Sequence, residues 1–196
     1  MKRLIISIFL SFIFCVTLSM LTFGSECREI RESVFRLHIL ANSDSDEDQQ
    51  LKLKVRDRIL AESEHLFSNN SDLEEAVENA NSSLDFLESI AKDEIIRNGY
   101  DYDVSISVEN TYFNTRTYGN ITLPAGEYTA LRIVIGEGAG HNWWCVMFPP
   151  ICVSPSTDGV SIEDILNKEQ LDIVEGDRYE LRFKCLEYFE ELFSRE

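Results

Sequence analysis

Basic residues are scarce in this chain, with 18 Lys and Arg against 35 Asp and Glu and a net charge of −17 at pH 7. Such a surface repels a phosphate backbone and anionic lipid headgroups alike, so no nucleic acid is expected as a partner. The short signatures of common chemistries are also missing. His38, His65 and His141 form no His-Glu-x-x-His pattern, and no Cys-x-x-Cys occurs, so the usual zinc spacings are absent. Asp44-x-Asp46-x-Asp48 imitates the start of a calcium loop, but Gln49 stands where Gly is required and Val55 where Glu is required. No metal and no cofactor is expected. There is no Gly-x-Ser-x-Gly turn and no Asp-Thr/Ser-Gly triplet; Thr157-Asp158-Gly159 has the wrong order. Gly136-x-Gly138-x-Gly140 lacks the Lys-Ser/Thr of a phosphate loop, and these glycines are read as permitting positive φ in a tight excursion from a sheet. Internal repeats and low-complexity segments are absent too.

What is present begins with an address. Lys2 and Arg3 precede a stretch from Leu4 to Phe23 that carries no charged residue. Residues 1–24 are therefore read as a signal peptide, with Thr22-Phe23-Gly24 offering cleavage after Gly24, or as an N-terminal membrane anchor. The two positive charges favour a cytoplasmic N-terminus, which places residues 25–196 across the membrane as one exported domain. Without Lys2 and Arg3, 16 basic residues face all 35 acidic ones, a net charge near −19.

The pattern of that domain predicts an α+β fold: a helical hairpin packed on a mostly antiparallel sheet, with a C-terminal helix. Glu32 to Ala41 reads as a first strand. Ser45 with Asp48 resembles a capping box, and Asp46, Glu47 and Asp48 open a helix that carries Leu51, Val55 and Ile59. Ser68-Asn69-Asn70 breaks it, and Ser71 with Glu74 caps a second helix. Its apolar stripe runs through Leu73, Val77, Ala80, Leu84, Leu87, Ala91 and Ile95 to a cap at Gly99. Tyr102 to Val108, residues 112–123 with breaks at Tyr118-Gly119-Asn120 and Pro124-Ala125-Gly126, and Leu131 to Ile135 read as strands, 136–155 as a long ordered loop, Ser161 onward as a short helix, and Asp177 to Phe193 as the final helix.

Two segments hold the candidate functional residues. In the first, His38 is expected to fasten to the turn Asn42-Ser43-Asp44 beside it. In the second, Trp143, Trp144, Met147 and Phe148 surround Pro149 and Pro150, and form either core or a rigid exposed ridge suited to protein contact. Cys145 and Cys152 flank the prolines, and are either bridged or separate buried thiols. Cys145 near His141, or Ser43 near His38, would be the nucleophile of an enzyme. No third orienting group is visible, so no catalytic residue is assigned. A metal site from His141, Cys145 and Cys152 is disfavoured against structural cysteines.

The blocks Leu37-His38-Ile39-Leu40-Ala41-Asn42-Ser43-Asp44-Ser45 with Leu51-Lys52-Leu53-Lys54-Val55-Arg56-Asp57, and Asn142-Trp143-Trp144-Cys145-Val146-Met147-Phe148-Pro149-Pro150 with Cys152, are long and unusual. Together they resemble the stage II sporulation protein R family of endospore-forming Firmicutes. The resemblance covers the chain from about Val34 to the final helix. It implies a forespore product exported into the space between the two membranes of the developing spore. There it would trigger a membrane-embedded aspartic protease of the mother cell, which removes the pro-sequence of sigma-E. It implies partner contact rather than catalysis, with Trp143, Trp144, Met147, Phe148, Pro149 and Pro150 as the first contact candidates and Asp44, Asp46 and Asp48 as the second. His38, Asn42, Ser43, Cys145 and Cys152 are expected to be structural. The competing expectations are an exported thiol-dependent hydrolase acting on the cell envelope, and a purely structural envelope protein.

Overall fold

A computed structural model describes residues 2–67, 70–151, 162–176 and 183, the side chains of residues 64, 65 and 67 excepted. The chain opens with helix α1 (Lys2–Glu32), whose N-terminal part exposes Leu4, Ile8, Phe12 and Leu18 and is long and apolar enough to cross a membrane. The helix runs unbroken through Gly24. Phe23, Cys27 and Ile30 recur at helical spacing and are buried in the folded domain. This extension corrects the expected start of the first strand: Glu32 ends the helix, the chain turns at Ser33, and strand β1 is Phe35–Leu40.

β1 is central in a four-stranded mixed sheet of order β2-β5-β1-β6, with β2 Val104–Phe113, β5 Gly126–Ile135 and β6 Asn142–Phe148. It pairs parallel with β5 and antiparallel with β6, while β2 pairs antiparallel with β5. Successive side chains of a strand point to opposite faces. Phe35, Leu37 and Ile39 accordingly enter a core formed with helix α2 (Asp46–Phe67), α3 (Leu73–Ser82) and α4 (Leu84–Arg97). On the other face Ala130 and Val146 join Phe23, Cys27 and Ile30 of α1, the hairpin β3 (Arg116–Tyr118) and β4 (Ile121–Leu123), and helices α5 (Ile162–Ile165) and α6 (Lys168–Glu175). The mixed α+β class is as expected.

Three local expectations change. The second helix is two, because the chain closes at Ser83 (φ −109°, ψ 7°) after Ser82, and serine competes with the helical backbone. The cap of α3 is Asp72, whose carboxylate accepts from Glu75 N–H, while the Glu75 carboxylate accepts from Ser71. Within residues 112–123, β2 ends at Phe113, and β3 and β4 turn at the expected break, around Gly119 at φ +61°. The expected loop 136–155 contains β6, a sheet strand. The expected final helix lies outside the described residues except for buried Phe183, and the last helix described in full is α6.

Candidate functional site

The topology brings the two unusual sequence blocks together. β1 and β5 are parallel, so both end on one side of the sheet, and β6 starts there because it is antiparallel to β1. Residues 41–48 and 136–141 therefore leave the sheet side by side and interlock. Gly140 N–H donates to Ala41 O at 3.0 Å, Ala139 N–H to Asn42 O at 3.2 Å, and Glu137 N–H to Asn42 Oδ1 at 3.0 Å. His141 N–H donates to Asp44 Oδ1 at 2.6 Å, and the His141 ring pairs with the same carboxylate. Glycine is required by this approach: a Cβ at Gly140 would lie 2.1 Å from Ser43 O, and Gly136 and Gly138 have φ +58° and +62°.

Two buried charged groups fix the clasp from below. Asp48 Oδ2 accepts from Asn42 Nδ2 at 2.8 Å and from Ser43 Oγ at 2.5 Å, while its N–H donates to Ser45 Oγ at 3.2 Å. Burial pushes the Asp48 carboxyl up, but the hydrogen bonds from Ser43, Asn42 and Tyr102 outweigh it and hold the group below its ordinary range. Lys52 Nζ donates to His141 O and to Gln49 Oε1, each at 2.6 Å. Burial lowers its pKa, with the Asp44 charge opposing that change. The acidic run is thus two things: Asp48 is a buried anchor, and Asp46 is an exposed residue of the first helical turn.

The other expected site residues separate along β6. Trp143 and Trp144 are half-buried on opposite faces of the strand, whereas Met147, Phe148 and Pro149 are buried and Pro150 is half-buried. The segment is therefore no continuous exposed ridge. Cys145 is disulfide-bonded and buried against the helical core, Cys15 is an exposed free thiol, Cys27 is buried, and Cys152 lies outside the described residues. His141 lies four residues before Cys145 on extended chain, about 13 Å away at ~3.3 Å per residue, and is engaged by Asp44. Ser43 is bound to Asp48, and His38 does not reach the turn. Instead His38 Nε2 meets Asn142 Oδ1 at 3.0 Å across the strand pair. Burial lowers the His38 pKa, more than the Asn142 contact raises it.

Beyond the outer side of β6 lies a cavity of about 650 Å³, lined by Arg56, Leu60, Arg116, Tyr118, Trp143 and Trp144 among others. The Arg56 guanidinium stacks over Trp143 at 4.3 Å and Arg116 over Trp144 at 4.1 Å. Behind Tyr118, Arg36 is fully buried, stacked on Phe113 and Tyr128, and donates to the Tyr118 hydroxyl at 2.6 Å. Sequence reasoning missed these three arginines. Arg56 lies inside one of the unusual blocks, but nothing in a linear reading pairs it with Trp143, and Arg36 and Arg116 stand in segments far from the tryptophans. Among the described residues, no group of three or more His, Cys, Asp and Glu side chains could hold a metal ion.

Comparison with known proteins agrees with the two-block pattern. The profile of the stage II sporulation protein R family matches residues 31–158. Stage II sporulation protein R of Bacillus subtilis (strain 168) is 40% identical over 140 residues, 71% of this chain and 62% of that protein. The chain thus spans less than two thirds of that relative's length. No solved structure matches. With both blocks inside the matched region, the chain belongs to the stage II sporulation protein R family.

Proposed function

We propose that this chain is an exported sporulation signal, which activates a membrane-embedded aspartic protease of the mother cell to process pro-sigma-E. Residues 1–24 act as its signal peptide or anchor, and residues 25–196 act in the space between forespore and mother-cell membranes. Family membership is the observation that carries this reading. The apolar, exposed N-terminal part of α1 supports export. The domain works as a ligand: it binds the protease's active arrangement in preference to its inactive one, since only a difference in affinity shifts such an equilibrium. Of the expected contact residues, Trp143 and Trp144 retain exposed surface beside a cavity and are the contact candidates. A thiol hydrolase would require a free Cys145 thiol next to His141, and the disulfide at Cys145 and the Asp44 partner of His141 oppose that arrangement. The test is co-expression of the full chain with the protease and pro-sigma-E in a non-sporulating host. The double variant Trp143→Ala, Trp144→Ala is expected to fold and be exported yet fail to trigger precursor cleavage. Full cleavage with that variant would refute the contact assignment.

A further inference from the structure

From the cavity beside β6 we infer a specific occupant: a carboxylate-bearing, otherwise apolar segment of the polypeptide that this chain activates. The inference rests on the proposed signalling role and names the chemistry of its contact. In a chain of net charge −17, two guanidinium groups line one cavity. Each lies over an indole, and a guanidinium's N–H donors suit a planar carboxylate. Their charge is already partly matched, since Arg56 Nε and Nη2 both donate to Asp57 Oδ1 at 2.8 and 2.5 Å. Asp57 also lines the cavity, so its formal charge with Arg56 and Arg116 is about +1, suited to one carboxylate rather than to a dianionic phosphate. An anionic membrane recruits clusters of about four to eight basic residues, and this cavity offers two.

The remaining walls select the rest of the occupant. Leu60 and the two indoles offer apolar surface for a neighbouring side chain. Both indole Nε1 atoms lack accessible surface, so the indoles offer their apolar rings and the donors are the guanidinium groups and Tyr118. The Tyr118 hydroxyl, which accepts from buried Arg36, keeps its own proton to donate. These donors call for an acceptor, and a carboxylate brings two oxygens.

Both tryptophans of the chain line this cavity, so intrinsic emission reports on it directly. Full-length protein in non-ionic micelles is titrated with an acetylated, amidated Leu-Phe-Glu-Leu peptide and with its Gln counterpart. A charge-assisted hydrogen bond contributes about 1.5–3 kcal/mol, so the Glu peptide should half-saturate at a concentration about 10- to 100-fold lower. Arg116→Gln should abolish that preference, Arg116→Lys should restore part of it, and exposed Arg97→Gln should leave it intact. Equal response to both peptides would overturn the inference. So would a response to inorganic phosphate or phosphatidylglycerol vesicles at lower concentration than to the Glu peptide. In parallel, precursor cleavage is scored in the co-expression host. Absence of cleavage with the wild-type chain would fail the signalling role alone, and the peptide preference would still judge the cavity. Cleavage undiminished by Arg116→Gln would overturn the cavity as the seat of contact.

Discussion

Substituting Gly140 by alanine probes the joint between the two family-defining blocks. The added Cβ would stand 2.1 Å from Ser43 O, and real contacts stay above about 3.0 Å, so the loops must part by about 0.9 Å. That opening removes the backbone bonds from Gly140 N–H and Ala139 N–H, and it weakens those from Glu137 N–H and His141 N–H. At about 1 kcal/mol net per bond, the loss should fall between about 2 and 4 kcal/mol. Gly119→Ala is the control. It has φ +61° but nothing within 4 Å of the new Cβ, so it should cost only the left-handed backbone penalty of about 1–2 kcal/mol. Urea unfolding of the full chain in non-ionic micelles, followed by tryptophan emission, measures both variants. Because Asp44 spans the same joint, Asp44→Ala should add less to Gly140→Ala than it costs alone, as contacts in one network are not additive. A Gly140→Ala protein as stable as wild type, or costs that simply add, would refute the clasp.

Three further outcomes follow from buried polar groups. The folded-state pKa of His38 is lowered by burial from 6.5, so the unfolded chain binds this proton more readily. Its contribution to stability is whole above about pH 6.5 and is lost as pH falls towards the folded value; His38→Gln should flatten that limb of the pH–stability curve. Asp48→Asn replaces the acceptor of Asn42 and Ser43 with an amide and should lower stability by about 2–3 kcal/mol at neutral pH, with the deficit narrowing in acid. Arg36→Met removes a buried guanidinium whose Nε and Nη1 have no hydrogen-bond partner among the described residues, and should leave stability within about 1 kcal/mol of wild type or raise it. A loss above about 3 kcal/mol would show that the aromatic stacking on Arg36 outweighs its desolvation.

The residues explain which parts of this structure a linear reading reaches. Leu51, Val55 and Ile59 repeat at helical spacing, and Asp46 to Asp48 mark the helix start, so α2 is legible from Ser45 onward. Asn142 to Phe148 has no such period. Its side chains are packed from both faces of the sheet, so the apolar run does not alternate, and the glycines before it signal a loop. The break at Ser83 is invisible for a similar reason: α4 resumes at Leu84 and continues the stripe of α3. The uncharged stretch ends at Phe23 and charged Glu26, Arg28 and Glu29 follow, so only the packing of Phe23, Cys27 and Ile30 in the core shows that α1 continues to Glu32. At the candidate site the tryptophans stand out by rarity and position. Their arginine partners come from α2 and β3, and only the fold places Arg56 and Arg116 beside them.

The account stands most directly on pro-sigma-E itself. In a host carrying the protease and the precursor, processed sigma-E should appear when the full chain is produced and be absent when it is not. If the precursor stays intact with the chain exported and folded, or shortens to the same extent without it, the proposed signalling role is contradicted.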